Sequence, residues 1–168
     1  MMAKKSDNTG EMARLDLTIA RTYDVPRALV WDAWTKPEHL KQWWAPKPIE
    51  LIECEIDPRP GGTFYTVMRM EDGSDVPIRM CCLDAAPMER LVFTDTLLAG
   101  WRPSATPFLT FTTIVKLEDE NGKTRCIARV MHKDEADRAR HEEAGFHQGW
   151  GTAFDQLAEL VKTMKGKR

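Results

Sequence analysis

The sequence predicts an α+β fold in which an antiparallel β-sheet packs against one long C-terminal helix. Between about residues 49 and 132, stretches with strand periodicity alternate with turn sequences, a pattern typical of an antiparallel meander. Two short stretches with helical periodicity precede this region, and a long amphipathic stretch follows it. Because a sheet with an apolar face must cover that face, we expect the last helix to pack on it. The predicted element order is β-α-α-β(six)-α.

The first strand and two short helices are predicted before residue 47. Apolar residues alternate with polar or small ones at Leu15, Leu17 and Ile19, as in a half-buried strand. The periodicity then becomes helical in the segment VPRALVWDAWTKPEHLKQWWAP, where Pro26 suits a first helical turn. A second helix follows, with Thr35 and Glu38 at capping-box spacing, and Pro46 ends it.

Six strands are predicted in the central region. They are separated in part by the turn sequences DPRPGG, EDGSD and EDENGK. The last of these contains Asn121-Gly122, which is typical of a tight hairpin. A longer loop, AGWRPSATP, places Trp101 between small and rigid residues and is a candidate cover for a cavity.

The final element is predicted to be a long amphipathic helix whose start is interrupted by glycines. Apolar residues recur at steps of three and four at Trp150, Phe154, Leu157, Val161 and Met164. Phe146 extends the same stripe by one turn toward the N-terminus. The helix is therefore long enough to cover the apolar face of the sheet.

The composition indicates one globular domain of ordinary polarity. The 168 residues are 42% hydrophobic and 30% charged, with a net charge of -2, which gives no electrostatic reason to expect a nucleic-acid partner. No stretch approaches the roughly 20 apolar residues of a membrane span, and no signal peptide is apparent, so we expect no membrane partner and a cytoplasmic location. The predicted domain covers 15–164, between a flexible tail at 1–14 and a basic tail at 165–168.

The segment HKDEADRARHEEAGFHQGWG, residues 132–151, contains three of the four histidines and raises the question of a metal site. His141 and His147 are about 120° out of register on an ideal helix, and HEEAGFH lacks the spacing of HExxH. We therefore predict neither metal nor cofactor. His141 is expected on a short solvated helix capped by Asp134, although a lid over a cavity is an alternative. The cysteines form no CxxC pair and are predicted to be buried thiols.

Several motifs in a fixed order resemble those of a known superfamily. They are VPRALVWDAWTKPEHLKQWWAP, DPRPGG, ERLVFTDT, GKTRC and GFHQGWGTAFDQL. In this order they resemble the SRPBCC (START-like, polyketide-cyclase-like) superfamily, most closely the family named after the C-terminal domain of the heat-shock-protein-90 ATPase activator. The resemblance covers roughly residues 15–164. It implies a helix-grip fold, in which a curved antiparallel sheet wraps around the long C-terminal helix and leaves a cavity between them.

The resemblance also implies where a ligand would bind. Members of the superfamily bind lipids, sterols, polyketides or other apolar molecules. The predicted ligand contacts lie on elements that should border the open end of the cavity, and they are Trp44, Trp101, Phe146, His147, Trp150 and Phe154. The sequence does not determine which face of the sheet lines the cavity. One candidate face carries Phe64, Thr66, Met68, Phe111 and Thr113, and the opposite face is the alternative.

Three functions are compatible with the sequence. The first is binding of a small apolar or aromatic molecule. The second, since some superfamily members are cyclases, aromatases or hydrolases, is an enzyme with an acid/base pair among polar strand residues. These candidates are Glu55, Tyr65, Arg79, Asp95 and His132. The third is a chaperone-linked interaction module. The sequence offers no candidate for the activator's separate N-terminal domain, which argues against this third function. A homodimer is also left open.

Overall fold

The computed structural model describes residues 12–167, so the expected tail at 1–14 lies mostly outside the described residues. The strands are β1 (Asp16–Tyr23), β2 (Glu50–Ile56), β3 (Thr63–Arg69), β4 (Asp75–Ala86), β5 (Arg90–Thr94), β6 (Leu97–Leu98), β7 (Arg102–Pro103), β8 (Phe111–Glu120) and β9 (Lys123–His132). The helices are α1 (Arg27–Thr35), α2 (Pro37–Trp43), α3 (Glu135–Glu143) and α4 (Phe146–Gly166). A 3₁₀ turn, Ala13–Leu15, precedes β1.

Seven strands form one antiparallel sheet that curls around α4. Their order is β1-β9-β8-β5-β4-β3-β2, and β6 pairs with β7 in a separate hairpin. The register shifts between Leu51 and Glu53 in β2 and between Cys82 and Asp84 in β4. Because such bulges bend a strand and increase its twist, they favour the curvature of the sheet. The predicted α+β helix-grip architecture is therefore confirmed.

The turn between β8 and β9 has the conformation that its sequence predicts. Asn121 and Gly122 both have positive φ angles, 55° and 86°, as the two central residues of a type I′ turn require. Glu120 pairs with Lys123 across this turn, so the turn fixes the register of the long hairpin.

The concave face of the sheet carries the first of the two candidate sets. Phe64 and Thr66 of β3 and Phe111 and Thr113 of β8 are buried. Met68 lies on the same face of β3 and packs against the hydrophobic core. This face is turned toward α4 and forms the core with it.

Helix α4 buries the predicted apolar stripe. Phe146, Phe154, Leu157 and Val161 are buried on one face of the helix. The helix begins after Gly145, whose φ of 96° places it in the left-handed region, which glycine adopts without steric cost. This turn separates α4 from α3, so the last helical stretch consists of two helices.

The N-terminal helices differ in detail from the prediction. Pro26 is the N-cap of α1, one residue before the helix begins. The capping-box prediction is wrong, because the Thr35 hydroxyl donates to the Trp31 carbonyl, 2.7 Å away, within α1. The N-cap of α2 is Lys36, which forms no side-chain capping bond. Local spacing could not distinguish the last turn of one helix from the cap of the next.

Most of the cysteines are buried thiols, as expected. Cys81, Cys82 and Cys126 are buried, and Cys54 is partly buried. Burial raises the pKa of Cys82 and of Cys126 to about 12, so these thiols stay protonated and unreactive at neutral pH.

Candidate functional site

A cavity of about 310 Å³ lies between the concave face of the sheet and the first turns of α4. Its lining comes from the segment after α2, from β3 and β4, from the loop before β8, and from α3 and α4. The lining residues are Trp44, Pro46, Ile49, Met68, Met70, Val76, Ile78, Met80, Phe108, Leu109, Phe111, His141, Ala144, Gly145, Phe146, Gly149, Trp150 and Ala153. His141 is the titratable side chain among them.

One wall of the cavity is formed by flexible apolar side chains of the sheet. Met68 and Met80 belong to β3 and β4, and Met70 follows β3 directly. Ile78 of β4 lies among them. Because methionine is unbranched and polarisable, it adapts to ligands of different shape. This wall therefore suits an irregular apolar surface.

The opposite wall consists of aromatic rings whose positions are fixed by one another. Trp44 and Trp150 meet edge to face with ring centroids 5.5 Å apart. Phe146 lies 5.7 Å from Trp150 on α4, and Phe64 of the sheet lies 5.5 Å from Trp44. Because such pairs are attractive beyond the burial of their area, the rings present a preformed apolar surface.

A pair of buried histidines lies at one end of the cavity. Nδ1 of His132 lies 2.9 Å from the Leu15 carbonyl oxygen, and Nε2 of His132 lies 2.9 Å from Nδ1 of His141. Both residues are 6% exposed. The His141 ring packs against Phe111 and Phe146, with centroid distances of 5.6 and 5.2 Å. His141 is thus held between the sheet and α4.

Burial keeps His141 uncharged at neutral pH. Desolvation is the main cause that lowers the pKa of His141 from 6.5 to about 4, and electrostatic interactions with His132 and Arg140 contribute in the same direction. The nearby carboxylate of Asp137, one turn earlier on α3, accepts from Lys133. The imidazole that lines the cavity is therefore neutral.

Asp95 positions the loop at the mouth of the cavity. This fully buried carboxylate accepts hydrogen bonds from the backbone N–H groups of Leu109, Thr110 and Phe111, at 2.7, 2.9 and 2.8 Å. Thr110 has a φ of 57°, a strained conformation for a β-branched residue. The three bonds hold this turn in place, so that Leu109 and the exposed ring of Phe108 border the cavity.

The structure brings together half of the predicted ligand contacts. Trp44, Phe146 and Trp150 line the cavity. Phe154 does not line it, because its fully buried ring lies behind Trp150 at a centroid distance of 5.9 Å. There it packs against Trp34 of the core.

The other two predicted contacts lie outside the cavity. Trp101 is 49% exposed, and its indole lies beside Gly61 in the turn before β3. Trp101 lies in the turn between β6 and β7 and is not among the lining residues. The side chain of His147 is 62% exposed, and its Nε2 lies 3.3 Å from Glu142. It is the second residue of α4 and is not among the lining residues.

Three of the polar strand residues lie on the convex face of the sheet. Glu55 of β2 pairs with Tyr65 of β3, which in turn pairs with Arg79 of β4. The Arg79 guanidinium lies 5.2 Å from the centroid of the Tyr65 ring. These residues do not line the cavity. Asp95 and His132 each form a hydrogen bond with a lining residue, Asp95 with Leu109 and Phe111 and His132 with His141.

The prediction that His141 is merely solvated is wrong. The predicted cap of its helix is confirmed, since the Asp134 carboxylate accepts from the Asp137 backbone N–H at 2.8 Å. However, Asp137 and His141, one helical turn apart, are both buried. The helix is highly charged, and which of its sides is buried depends on how α3 packs against β9. The spacing of residues along the sequence gives no information about this packing. Among residues 12–167, no group of three or more His, Cys, Asp or Glu side chains could hold a metal ion.

None of the helices found between residues 12 and 167 combines the length and the apolar character needed to cross a membrane.

Comparisons with known proteins identify the family. A family model described as Activator of Hsp90 ATPase homolog 1-like protein matches residues 24–162. The crystal structure of a protein from Nitrosomonas europaea is similar, with 42% sequence identity and a TM-score of 0.87 over 92% of this chain and 98% of that chain. Comparison with curated proteins found no match.

More distant solved structures share the fold. A protein from Mycobacterium smegmatis has 21% identity and a TM-score of 0.75, with 89% of this chain and 91% of that chain covered. A protein from Rhodobacter sphaeroides has 18% identity and a TM-score of 0.76, with 89% and 93% covered. The family-model match over residues 24–162 confirms the predicted resemblance to the SRPBCC superfamily. The chain belongs to the family of Activator of Hsp90 ATPase homolog 1-like proteins.

Proposed function

We propose that this protein binds one small apolar or aromatic molecule in the cavity between the sheet and α4. The observation that carries the proposal is the lining, which is apolar apart from the neutral imidazole of His141 and the indole N–H groups of its tryptophans, of which that of Trp44 is buried without a hydrogen-bond partner in the described part of the chain. Members of this fold family commonly bind hydrophobic ligands. A volume of about 310 Å³ lies at the small end of the range of ligand pockets, so the ligand is small.

The energetic basis of binding is the removal of apolar surface from water. Each square ångström of buried apolar surface contributes roughly 25 cal/mol, and a preformed wall avoids the entropic cost of ordering side chains on binding. Trp44 and Trp150 are already fixed by their ring contacts, whereas the methionines of the sheet wall adapt to the ligand. The site therefore combines one rigid wall with one adaptable wall.

The cavity favours binding over the two alternative functions. An enzyme of cyclase, aromatase, dehydratase or hydrolase type needs two titratable groups within reach of one ligand atom. The lining supplies His141, and the second histidine lies behind it. A chaperone-linked role draws on the family name alone, and we find no feature of the described residues that favours it.

Binding of a neutral fluorescent probe tests the proposal. We expect N-phenyl-1-naphthylamine to become fluorescent when wild-type protein is added, because its environment becomes apolar. Trp150→Ala removes a ring that lines the cavity and should weaken probe binding about tenfold, as expected for the loss of one aromatic contact. Native mass spectrometry of freshly purified protein, followed by denaturing extraction, would identify a retained natural ligand.

Trp101→Ala is the matched control for this experiment. It removes a ring of the same kind that lies outside the cavity, so the affinity for the probe should stay at the wild-type value. Near-ultraviolet circular dichroism would confirm that both variants are folded. Equal affinity of the folded Trp150→Ala variant and the wild type would contradict the proposed site.

A further inference from the structure

We infer that the ligand of this cavity carries a hydroxyl group of the phenol or alcohol type that donates a hydrogen bond to Nε2 of His141. The inference rests on the proposed function and deepens it by assigning the polar end of the ligand. It follows from the hydrogen bonds that connect the Leu15 carbonyl, His132 and His141.

The first step is the tautomer of His132. A backbone carbonyl oxygen can only accept hydrogen bonds. Nδ1 of His132, which lies 2.9 Å from the Leu15 oxygen, must therefore carry a proton and donate it. In a neutral imidazole the other nitrogen is then an acceptor, so Nε2 of His132 presents a lone pair.

The second step passes this constraint to His141. Nε2 of His132 lies 2.9 Å from Nδ1 of His141. Because the His132 nitrogen accepts, Nδ1 of His141 must donate and carries the proton of that ring. Nε2 of a neutral His141 is consequently unprotonated and is an acceptor. The chemistry of one carbonyl group thus fixes both tautomers.

A charged pair would reverse this assignment, and the surroundings oppose it. If His132 were doubly protonated, its Nε2–H would donate to Nδ1 of His141, and Nε2 of His141 would carry a proton. Both rings are almost fully buried, and among residues 12–167 no carboxylate forms an ion pair with either of them. Burying an unpaired charge is costly, so the neutral pair is the stable state.

The third step places the acceptor in the cavity. His141 belongs to the lining, between Phe111 and Phe146. No residue in the described part of the chain forms a hydrogen bond with Nε2 of His141, whereas Nδ1 is engaged by His132. An acceptor in apolar surroundings gains most from a ligand that supplies a donor.

The same geometry selects against anionic ligands. A carboxylate offers only lone pairs, which would face the lone pair of Nε2. The cavity lining contains no Lys or Arg that would pair with it. Burial of an unpaired carboxylate is unfavourable, so a neutral molecule with a hydroxyl group fits this site better than a fatty-acid anion.

Three naphthalenes of similar size test the inference. 2-Naphthol has a hydroxyl donor, 2-methoxynaphthalene has the same oxygen without the donor, and naphthalene has neither. We expect wild-type protein to bind 2-naphthol up to about tenfold more tightly than 2-methoxynaphthalene, the effect of one hydrogen bond. The affinities would be measured by isothermal titration calorimetry.

His141→Phe keeps an aromatic ring in the lining and removes the acceptor. This variant should bind 2-naphthol and 2-methoxynaphthalene with equal affinity, while the affinity for 2-methoxynaphthalene stays at its wild-type value. A second measurement does not depend on any variant folding. The ¹⁵N NMR shifts of the histidine rings in wild-type protein should show Nε2 of His141 as unprotonated, and addition of 2-naphthol should move this signal.

The outcomes separate this inference from the proposed function. If wild-type protein binds neither N-phenyl-1-naphthylamine nor any of the three naphthalenes, the proposed function fails, and the inference fails with it. If it binds the probe but none of the naphthalenes, the inference alone fails. Equal affinity of wild-type protein for 2-naphthol and 2-methoxynaphthalene would overturn the inference alone. A protonated Nε2 of His141 would overturn it as well, since the ring would then donate to its ligand.

Discussion

Among the individual side chains, His141 has the largest effect on the chemistry of the cavity. It is the titratable group of the lining, and desolvation lowers its pKa to about 4. Protonation would place a charge between the Phe111 and Phe146 rings, where water does not solvate it. The stability of the fold should therefore depend on pH through this residue.

We expect acid to destabilise the protein through His141. Below the ordinary pKa of 6.5 the unfolded chain binds a proton at this residue, whereas the folded protein binds it only near pH 4. The unfolded state therefore binds more protons in this range, and the free energy of unfolding falls as the pH is lowered. A pKa shift of this size corresponds to about 3 kcal/mol of the free energy of unfolding. This amount is fully present above pH 6.5 and is lost as the pH falls toward 4.

Urea unfolding of wild type and His141→Gln between pH 7 and pH 4 measures this effect. The variant has no titrating group at the position, so its stability difference from wild type should shrink on acidification. A constant difference for His141→Gln would contradict the prediction.

Asp95 is the second residue with an effect beyond its own position. Asp95→Asn replaces one acceptor oxygen by an N–H donor, so at least one of the backbone N–H groups of Leu109, Thr110 and Phe111 loses its acceptor. We expect a loss of about 3 kcal/mol in the free energy of unfolding, the value for hydrogen bonds to a buried charged group. Urea denaturation measures the loss.

Asp75→Asn provides the comparison for Asp95→Asn. Asp75 also accepts hydrogen bonds, but its partner is the exposed guanidinium of Arg69 at the end of a hairpin. Surface ion pairs contribute little to stability, so this variant should unfold close to wild type. Similar losses for the two variants would show that Asp95 does not hold the loop as we describe.

At the scale of elements, two glycines near the start of α4 differ in their position relative to the cavity. Gly149 and Gly151 lie in a helix, where glycine is less favourable than alanine by roughly 1 kcal/mol. Gly149 lines the cavity and Gly151 does not. A Cβ atom at either position would approach its nearest neighbour no closer than 3.9 Å. The sequence pattern identified both glycines, but the pattern alone does not show which one borders a cavity.

We expect Gly149→Ala and Gly151→Ala to stabilise the protein by similar amounts, about 0.5–1 kcal/mol each. Only the methyl group of Gly149→Ala enters the cavity wall, so only this variant should change the affinity for N-phenyl-1-naphthylamine. Thermal unfolding and probe titration together measure both effects. Weaker probe binding by Gly151→Ala would argue against the cavity as the binding site.

The two helices of the last segment show the limits of periodicity. The α4 stripe follows from local spacing, because a long helix on a sheet must bury one face. The buried side of α3 does not follow from local spacing, because charged residues occur on most sides of this helix. His141 is buried because α3 packs against β9. Trp101 is a similar case, since the β6–β7 hairpin, of two residues in each strand, turns it outward.

At the scale of the whole molecule, the fold could be predicted more fully than the site. Strand alternation, the Asn121-Gly122 turn and the α4 stripe each specify one element, and together they leave few ways to build a sheet around a helix. The site depends instead on contacts between residues that are distant in sequence. Trp44 meets Trp150, and His132 meets the Leu15 carbonyl, and neither contact has a signature in local spacing.

The hydrogen bond between Leu15 and His132 also connects the beginning of the chain to ligand selection. The 3₁₀ turn Ala13–Leu15 lies outside the cavity lining, yet its last carbonyl group determines which nitrogen of His141 carries a proton. A change that displaced this turn would free both rings to exchange tautomers, and the cavity would then accept ligands with donors and ligands with acceptors alike. We therefore expect ligand preference to differ between relatives that differ in the N-terminal turn, even where every residue of the cavity wall is the same.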